Sequence, residues 1–355
     1  MNNLTKNPIF LGFLFLFMFG GILFLFRQLF LVFFIIFAGI LFAIFLSALT
    51  DFVQRVTRLP RTWSLALTVF ILILLSLGGS WLIGSALGTQ ITRLINRLPE
   101  AWKIIENYLS EYGWGRELLS LLPAPQDLLP LGKGLLGNIT GFFATAFGVV
   151  AGFVLVFFLG VYIAIEPEPY VNGFLALFPP EKRDRIREIL NLISQALRWW
   201  LIGRAFAMAA VGIMTILALW LIGLPLAPTL GLMVGLLTFI PFIGPTIASI
   251  PAILVALVEG PYMVLWVVII YVVIQQIENQ IFTPLIQRRA VFLPPALLLS
   301  AQLIIGILFG FMGVLFASPL CVIMVILVQT LYIEDLLGES TKILGAHNHN
   351  TEEKG

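Results

Sequence analysis

The chain has 355 residues, of which 60% are hydrophobic, 13% aromatic and only 11% charged, with a mean hydropathy of +1.05. A soluble domain carries about 25% charged residues, so this composition excludes a water-soluble enzyme, whose exposed surface so few charges could not cover. A net charge of +2 without a sustained basic stretch argues against nucleic acid, and the single Cys321 cannot form an internal disulfide.

A bilayer core of about 30 Å is crossed by about 20 apolar helical residues. The first uncharged stretches run from Ile9 to Phe26 and from Gln28 to Thr50, parted by Arg27 alone. No small-residue cleavage site follows the first, which reads as an uncleaved span followed by a second. Thr62 to Thr92 adds a third stretch, and residues 1–87 form an N-terminal membrane region. Residues 88–133 turn polar. There Ile91, Leu94, Ile95, Leu98, Trp102, Ile105 and Tyr108 recur at helical spacing among charges, which predicts an extracytoplasmic amphipathic helix. Residues 134–165 form a further span. In the segment 166–204, Ile186, Ile189, Leu190, Ile193 and Leu197 make a second stripe behind Pro179-Pro180, which predicts a cytoplasmic amphipathic helix.

The C-terminal membrane region, residues 205–335, holds the irregularities. Ala205 to Val258 would reach roughly 80 Å as one helix, yet it is punctuated at Gly223-Leu224-Pro225 and at Pro241-Phe242-Ile243-Gly244-Pro245. It must contain at least two membrane elements. Gly260 to Ile277 is the next span, and Ala290 to Ile333 carries Ser318-Pro319 after an arm of span length. The expected fold is an all-α polytopic membrane protein of about eight elements, with broken or re-entrant hairpins around Pro241–Pro245 and Pro319. Residues 336–355 read as a polar cytoplasmic tail, where His347 and His349 suit a solvated terminus better than a metal site.

Lysine and arginine favour the cytoplasmic side. With both termini inside, and with 226–258 dipping in and returning to the outer face, Arg55, Arg58, Arg61, the basic residues of 166–204, Arg288 and Arg289 all fall inside. A full crossing by 226–258 would move Arg288 and Arg289 outside, so the charge rule favours the re-entrant form.

No phosphate loop, HExxH, GxSxG or Cys/His ligand spacing occurs, so no cofactor or metal is implied. The broken helices are more informative. Pro241 and Pro245 each remove a backbone donor, and lipid-facing backbone cannot tolerate that, so Phe239 to Thr246 should be buried in protein or line a wet cavity. Pro245 could begin a second half-helix, and Ser318 could cap another that starts at Pro319. Such half-helix ends would aim N–H groups at a polar solute. Gly231-x-x-x-Gly235 and Gly306-x-x-x-Gly310 stand at similar distances before Pro245 and Pro319, a weak internal repeat that chance could also produce.

The span from Tyr262 to Pro284 ends in polar residues. Gln275, Gln276, Glu278, Asn279, Gln280 and Thr283 share one broad helical arc, opposite Ile274, Ile277, Ile281 and Leu285. Keeping Glu278 ionised near the membrane centre costs about 2.5–3.5 kcal/mol on insertion scales. Protonating an ordinary glutamate at neutral pH costs about 3.7 kcal/mol, so either charge state is open and a coupling proton or cation could act there. The plainer reading is that Glu278 reaches headgroup water or pairs with Arg288 or Arg289.

At these residues the chain resembles the autoinducer-2 exporter family of permease-like bacterial membrane proteins. The resemblance rests on Glu278-Asn279, Thr283-Pro284-Leu285-Ile286-Gln287, Arg289-Ala290-Val291 and Leu293-Pro294-Pro295. It continues in Phe309-Gly310 through Ala317-Ser318-Pro319-Leu320, and in Ile240 to Pro245 with Ile250-Pro251-Ala252. Leu177-Phe178-Pro179-Pro180 matches more weakly, and the first 140 residues or so match in hydropathy and span order. The resemblance implies a transporter of the bacterial inner membrane, a homo-oligomer with the pentamer as one form, that exports autoinducer-2 or, in some branches, exchanges sodium for protons.

Three readings stand at this point. The first is a secondary exporter of a small polar solute. Its passage would be formed by Pro241, Gly244, Pro245, Thr246, Ser318 and Pro319 and lined by Gln275, Gln276, Asn279 and Gln280, with Glu278 as the coupling charge. The second is a sodium/proton antiporter, for which the chain offers few buried carboxylates. The third is a non-transporting membrane scaffold whose breaks serve only helix packing.

Overall fold

The computed structural model describes residues 8–78, 139–287, 291 and 293–338, with a few positions between 103 and 113. The stripe predicted between Ile91 and Tyr112, Arg288, Arg289 and the tail after Gly338 lie largely or wholly outside the described residues. Among the described residues every regular element is a helix. They are α1 (Pro8–Thr57), α2 (Arg61–Gly78), α3 (Ile139–Ile165), α4 (Pro167–Leu175), α5 (Arg183–Leu221), α6 (Ala227–Leu237), α7 (Ile243–Glu259), α8 (Pro261–Ile277), α9 (Thr283–Gln287) and α10 (Pro295–Leu327). Two π-helical turns extend α8 and α10, at Glu278–Phe282 and Val328–Glu334.

Five of the described helices are long and apolar enough to cross a membrane, or six if the bent pair α3–α4 counts as one span. The fold is thus an all-α, multi-pass membrane protein. At Arg27 the outcome differs from the two spans that the uncharged stretches predict, because α1 is continuous over 50 residues, roughly 75 Å. The reason is local: no proline or glycine stands between Ile22 and Ala38, and arginine and glutamine are good helix formers, so one charge does not end the helix. Likewise α5 begins behind a 3₁₀ turn at Pro180–Lys182 and runs unbroken over 39 residues past position 204. The amphipathic segment and the following span are one rod.

The helix α4 turns 87° from α3. It carries Pro167 in its first turn and leaves Tyr170 and Phe174 exposed, as suits a helix lying along an interface. Most of the described charges gather at this end of the bundle. Arg185 donates to Glu188, Glu334 and Asp335, Arg198 to Asp51, and Arg187 to Glu168. These contacts tie α5 to the ends of α1, α4 and α10.

The helices α5 and α6 make the most intimate pair. A Cβ on Gly231 would come within 2.8 Å of the Gly212 carbonyl oxygen, and one on Gly235 within 2.8 Å of the Met208 carbonyl oxygen. The Gly231-x-x-x-Gly235 pair therefore serves backbone-to-backbone packing. With 11 residues, α6 spans roughly 16 Å, about half the bilayer core.

The break in α10 falls at Gly310 (φ 65°, ψ −146°), eight residues before the Ser318-Pro319 break predicted from sequence. A Cβ on Gly306 would meet Val314 Cγ2 at 2.6 Å, and one on Gly313 would run into the Ile305 carbonyl. Residues eight apart lie about 12 Å apart along a straight helix, so the chain folds back on itself at Gly310. Only glycine takes these angles without strain. Pro319 is accommodated inside the second arm, where it leaves the Leu315 carbonyl without its helical donor, and Ser318 caps nothing. Gly310→Ala should therefore lower stability by about 1–3 kcal/mol and Pro319→Ala by less, read as midpoints of thermal unfolding in detergent. The reverse order would move the hinge to Pro319.

Candidate functional site

Along α5 the buried side chains form tiers. Leu197, Trp200 and Leu201 pack with Phe34, Phe37 and Leu41 of α1 and with Phe316, Val322 and Ile326 of α10. Further along, Val211 packs with Val234, Ala248 and Ile274. Arg204 lies between these two apolar tiers and is only 5% exposed.

An isolated guanidinium there would be prohibitively costly, and it is paired. Its Nη1 donates to Glu278 Oε1 at 3.3 Å, with the two side chains 6% and 4% exposed, and its Nε donates to the Phe239 carbonyl at 3.2 Å. Glu278 is presented by the first residue of the π-turn that ends α8, a distortion common at functional positions. Trp200 closes edge-on against the Phe239 ring at 5.7 Å.

The chain between α6 and α7 is a tight reversal. The Ile243 N–H donates to the Pro241 carbonyl at 2.7 Å, a γ-turn centred on Phe242, which sits at φ 63°, ψ −54°. Such a conformation is strained for a residue with a side chain and persists only when its surroundings impose it. Two side chains do so here: Arg204 holds Phe239 O from the α5 side, and Gln302 Nε2 donates to Pro241 O at 3.1 Å from α10. A Cβ on Gly244 would run into the Leu237 carbonyl, so the turn closes only with glycine at that position.

Gln302 and Ser318 belong to opposite arms of the α10 hairpin. The Gly306–Val314 approach sets the register, and stepping one helical turn down each arm places Gln302 level with Ser318. Both are fully buried. Within this polar layer Arg204 Nη2, Glu278 Oε2, Gln302 Oε1 and Ser318 Oγ have no hydrogen-bond partner among the described residues. Buried polar atoms are rarely left so, and four in one layer set it apart from ordinary core.

The sequence-predicted residues divide. Glu278, Gly244, Pro245, Ser318 and Pro319 are buried and Pro241 is half-buried. Pro245 lies in the first turn of α7, which starts two residues earlier than expected. Thr246 is exposed, its hydroxyl donating back to the Phe242 carbonyl at 2.8 Å. Gln276 and Gln280 are exposed on the protomer, while Gln275 and Asn279 are half-buried. The polar arc expected on α8 is thus split. Its inward face is Val267, Ile274 and Glu278, a stripe at helical spacing, which leaves Gln276 and Gln280 off that face. The described partner of Glu278 is Arg204.

Two residues of the layer escaped the sequence reading. Arg204 looked like the last charge of a cytoplasmic segment, although its spacing from Leu197, Trp200 and Leu201 puts it on their face of a continuous helix. Gln302 is a lone amide in the apolar run from Pro295 to Phe309.

A sequence model of the AI-2E family transporters matches residues 12–333. The chain belongs to the AI-2E transporter family. It is 26% identical to the Bacillus subtilis protein named "Putative transport protein YueF" over 79% of both chains. It is also 26% identical to a Thermotoga maritima protein named "Putative transport protein", over 80% of this chain and 87% of the relative. A second B. subtilis protein, "Putative transport protein YrrI", is 30% identical over 46% of each. This AI-2E family member is accordingly a multi-pass membrane transport protein, and the match takes in every residue of the polar layer.

Proposed function

We propose that this AI-2E family transporter is a secondary exporter of a small polar solute, with autoinducer-2 the first to test, and that the solute engages the layer of Arg204, Glu278, Gln302 and Ser318. The observation that carries this reading is the set of four unpartnered polar atoms, two donors or hydroxyls and two acceptors, held between apolar tiers at two helix reversals. A solute bearing both donors and acceptors matches them. In this reading the charged end of the bundle faces the cytoplasm of a bacterium, with the chain in the inner membrane and several copies associated. Because α1 is one continuous helix whose Asp51 end lies at that face, the chain then starts on the opposite side and not, as the sequence alone led one to expect, beside its C-terminal end. Exposed Gln276 and Gln280 would then face a neighbouring copy or water, since lipid satisfies neither amide.

The test is efflux from proteoliposomes across a panel of neutral polar solutes including autoinducer-2. The wild type should accelerate one of them, and Gln302→Leu should slow that flux roughly tenfold or more while the protein stays folded. Flux no faster than in protein-free vesicles for every solute would overturn the exporter reading.

A further inference from the structure

Both groups that the Arg204 guanidinium donates to are oxygens, the Glu278 carboxylate and the Phe239 carbonyl just past the end of α6, and Glu278 Oε2 is left without a described partner beside them. A carboxylate with a backbone carbonyl oxygen at the negative end of a helix is the chemistry that holds a hard monovalent cation. Here the cation is supplied by the chain itself. We infer that Arg204 is the charge-selectivity residue of the layer, a tethered cation seated in a sodium-type site that it keeps closed to free cations.

Glu278 and Arg204 neutralise each other in a buried tier, so the pair carries no net charge. A free sodium ion or a proton arriving at Glu278 would strand the guanidinium without a counter-charge, which is strongly unfavourable where water is excluded. Sodium and Arg204 therefore compete for one carboxylate, and the tethered competitor has the advantage of a high effective concentration. A neutral solute needs no such exchange, because both charges stay in place while it uses their free atoms. The inference takes from the proposed function only the location of the layer within the membrane. It concerns which charges the layer admits, whatever solute is moved.

The experiment compares the wild-type protein with Arg204→Gln, Arg204→Lys and the double variant Arg204→Gln/Glu278→Gln. The readouts are radioactive sodium uptake by proteoliposomes and thermal stability in detergent in sodium chloride against choline chloride at equal ionic strength. Arg204→Gln should gain saturable sodium uptake, roughly tenfold or more above the wild type, and its stability should rise in sodium over choline. Arg204→Lys, which keeps a tethered cation, and the double variant, which has no carboxylate, should show neither gain. If Arg204→Gln folds poorly, rescue by sodium and not by choline still reports the site. Wild-type sodium uptake equal to that of Arg204→Gln, or an Arg204→Gln variant as indifferent to sodium as the double variant, overturns the inference. Failure of the solute panel with these sodium results intact would overturn only the exporter reading.

Discussion

Arg204→Met alone is expected to destabilise the protein by about 3–5 kcal/mol, and adding Glu278→Leu is expected to recover most of that loss. The single substitution leaves the Glu278 carboxylate buried at 3% exposure without its described counter-charge, and frees the Phe239 carbonyl as well. The double substitution removes both charges and fills the layer with apolar atoms that match the tiers on either side. Urea or thermal unfolding of the two singles and the double forms a cycle, in which a coupling below about 0.5 kcal/mol would mean that the pair is not energetically joined. Solute flux separates stability from function: the stable double variant should transport nothing if the layer is the site.

Gly244→Ala is the second large effect, with an expected loss above about 4 kcal/mol that shows as little folded protein after extraction. The added methyl would occupy the place of the Leu237 carbonyl, and both sides of that contact are backbone within one reversal. No rotamer change can relieve it. The γ-turn at Phe242 and its two clamps, Arg204 on Phe239 O and Gln302 on Pro241 O, would have to open together. Gly173→Ala in α4 is the control, since its methyl would meet nothing within 4 Å. It should be neutral or stabilise by up to about 1 kcal/mol through helix propensity. Equal tolerance of the two substitutions would mean that α6 and α7 do not approach as closely as described.

Both sites show how far the sequence could be read. Pro241 to Pro245 announced a reversal, because two prolines and a glycine in five residues cannot continue a helix, and the chain turns there. Pro319 announced another and misplaced it. Proline only removes a donor, which a buried helix arm can absorb, whereas the reversal needs a positive φ that Gly310 supplies. Glu278 stood out as an acid inside a span. Its partner did not, since Arg204 lies 74 residues away and at the edge of a charged segment.

What the sequence by itself determined is the class of molecule: its hydropathy, scarce charges and breaks require an all-α membrane protein with interrupted helices, and its motifs carry the AI-2E family likeness. These are properties of composition and of neighbouring residues, which local chemistry fixes. Only the tertiary structure decided which polar groups meet. Arg204, Glu278, Gln302 and the Phe239 and Pro241 carbonyls come from four separate stretches of chain, and the packing of α5, α8 and the α10 hairpin around one reversal brings them into a single buried layer. No periodicity along the chain encodes that meeting, because it depends on which faces of distant helices exclude water together.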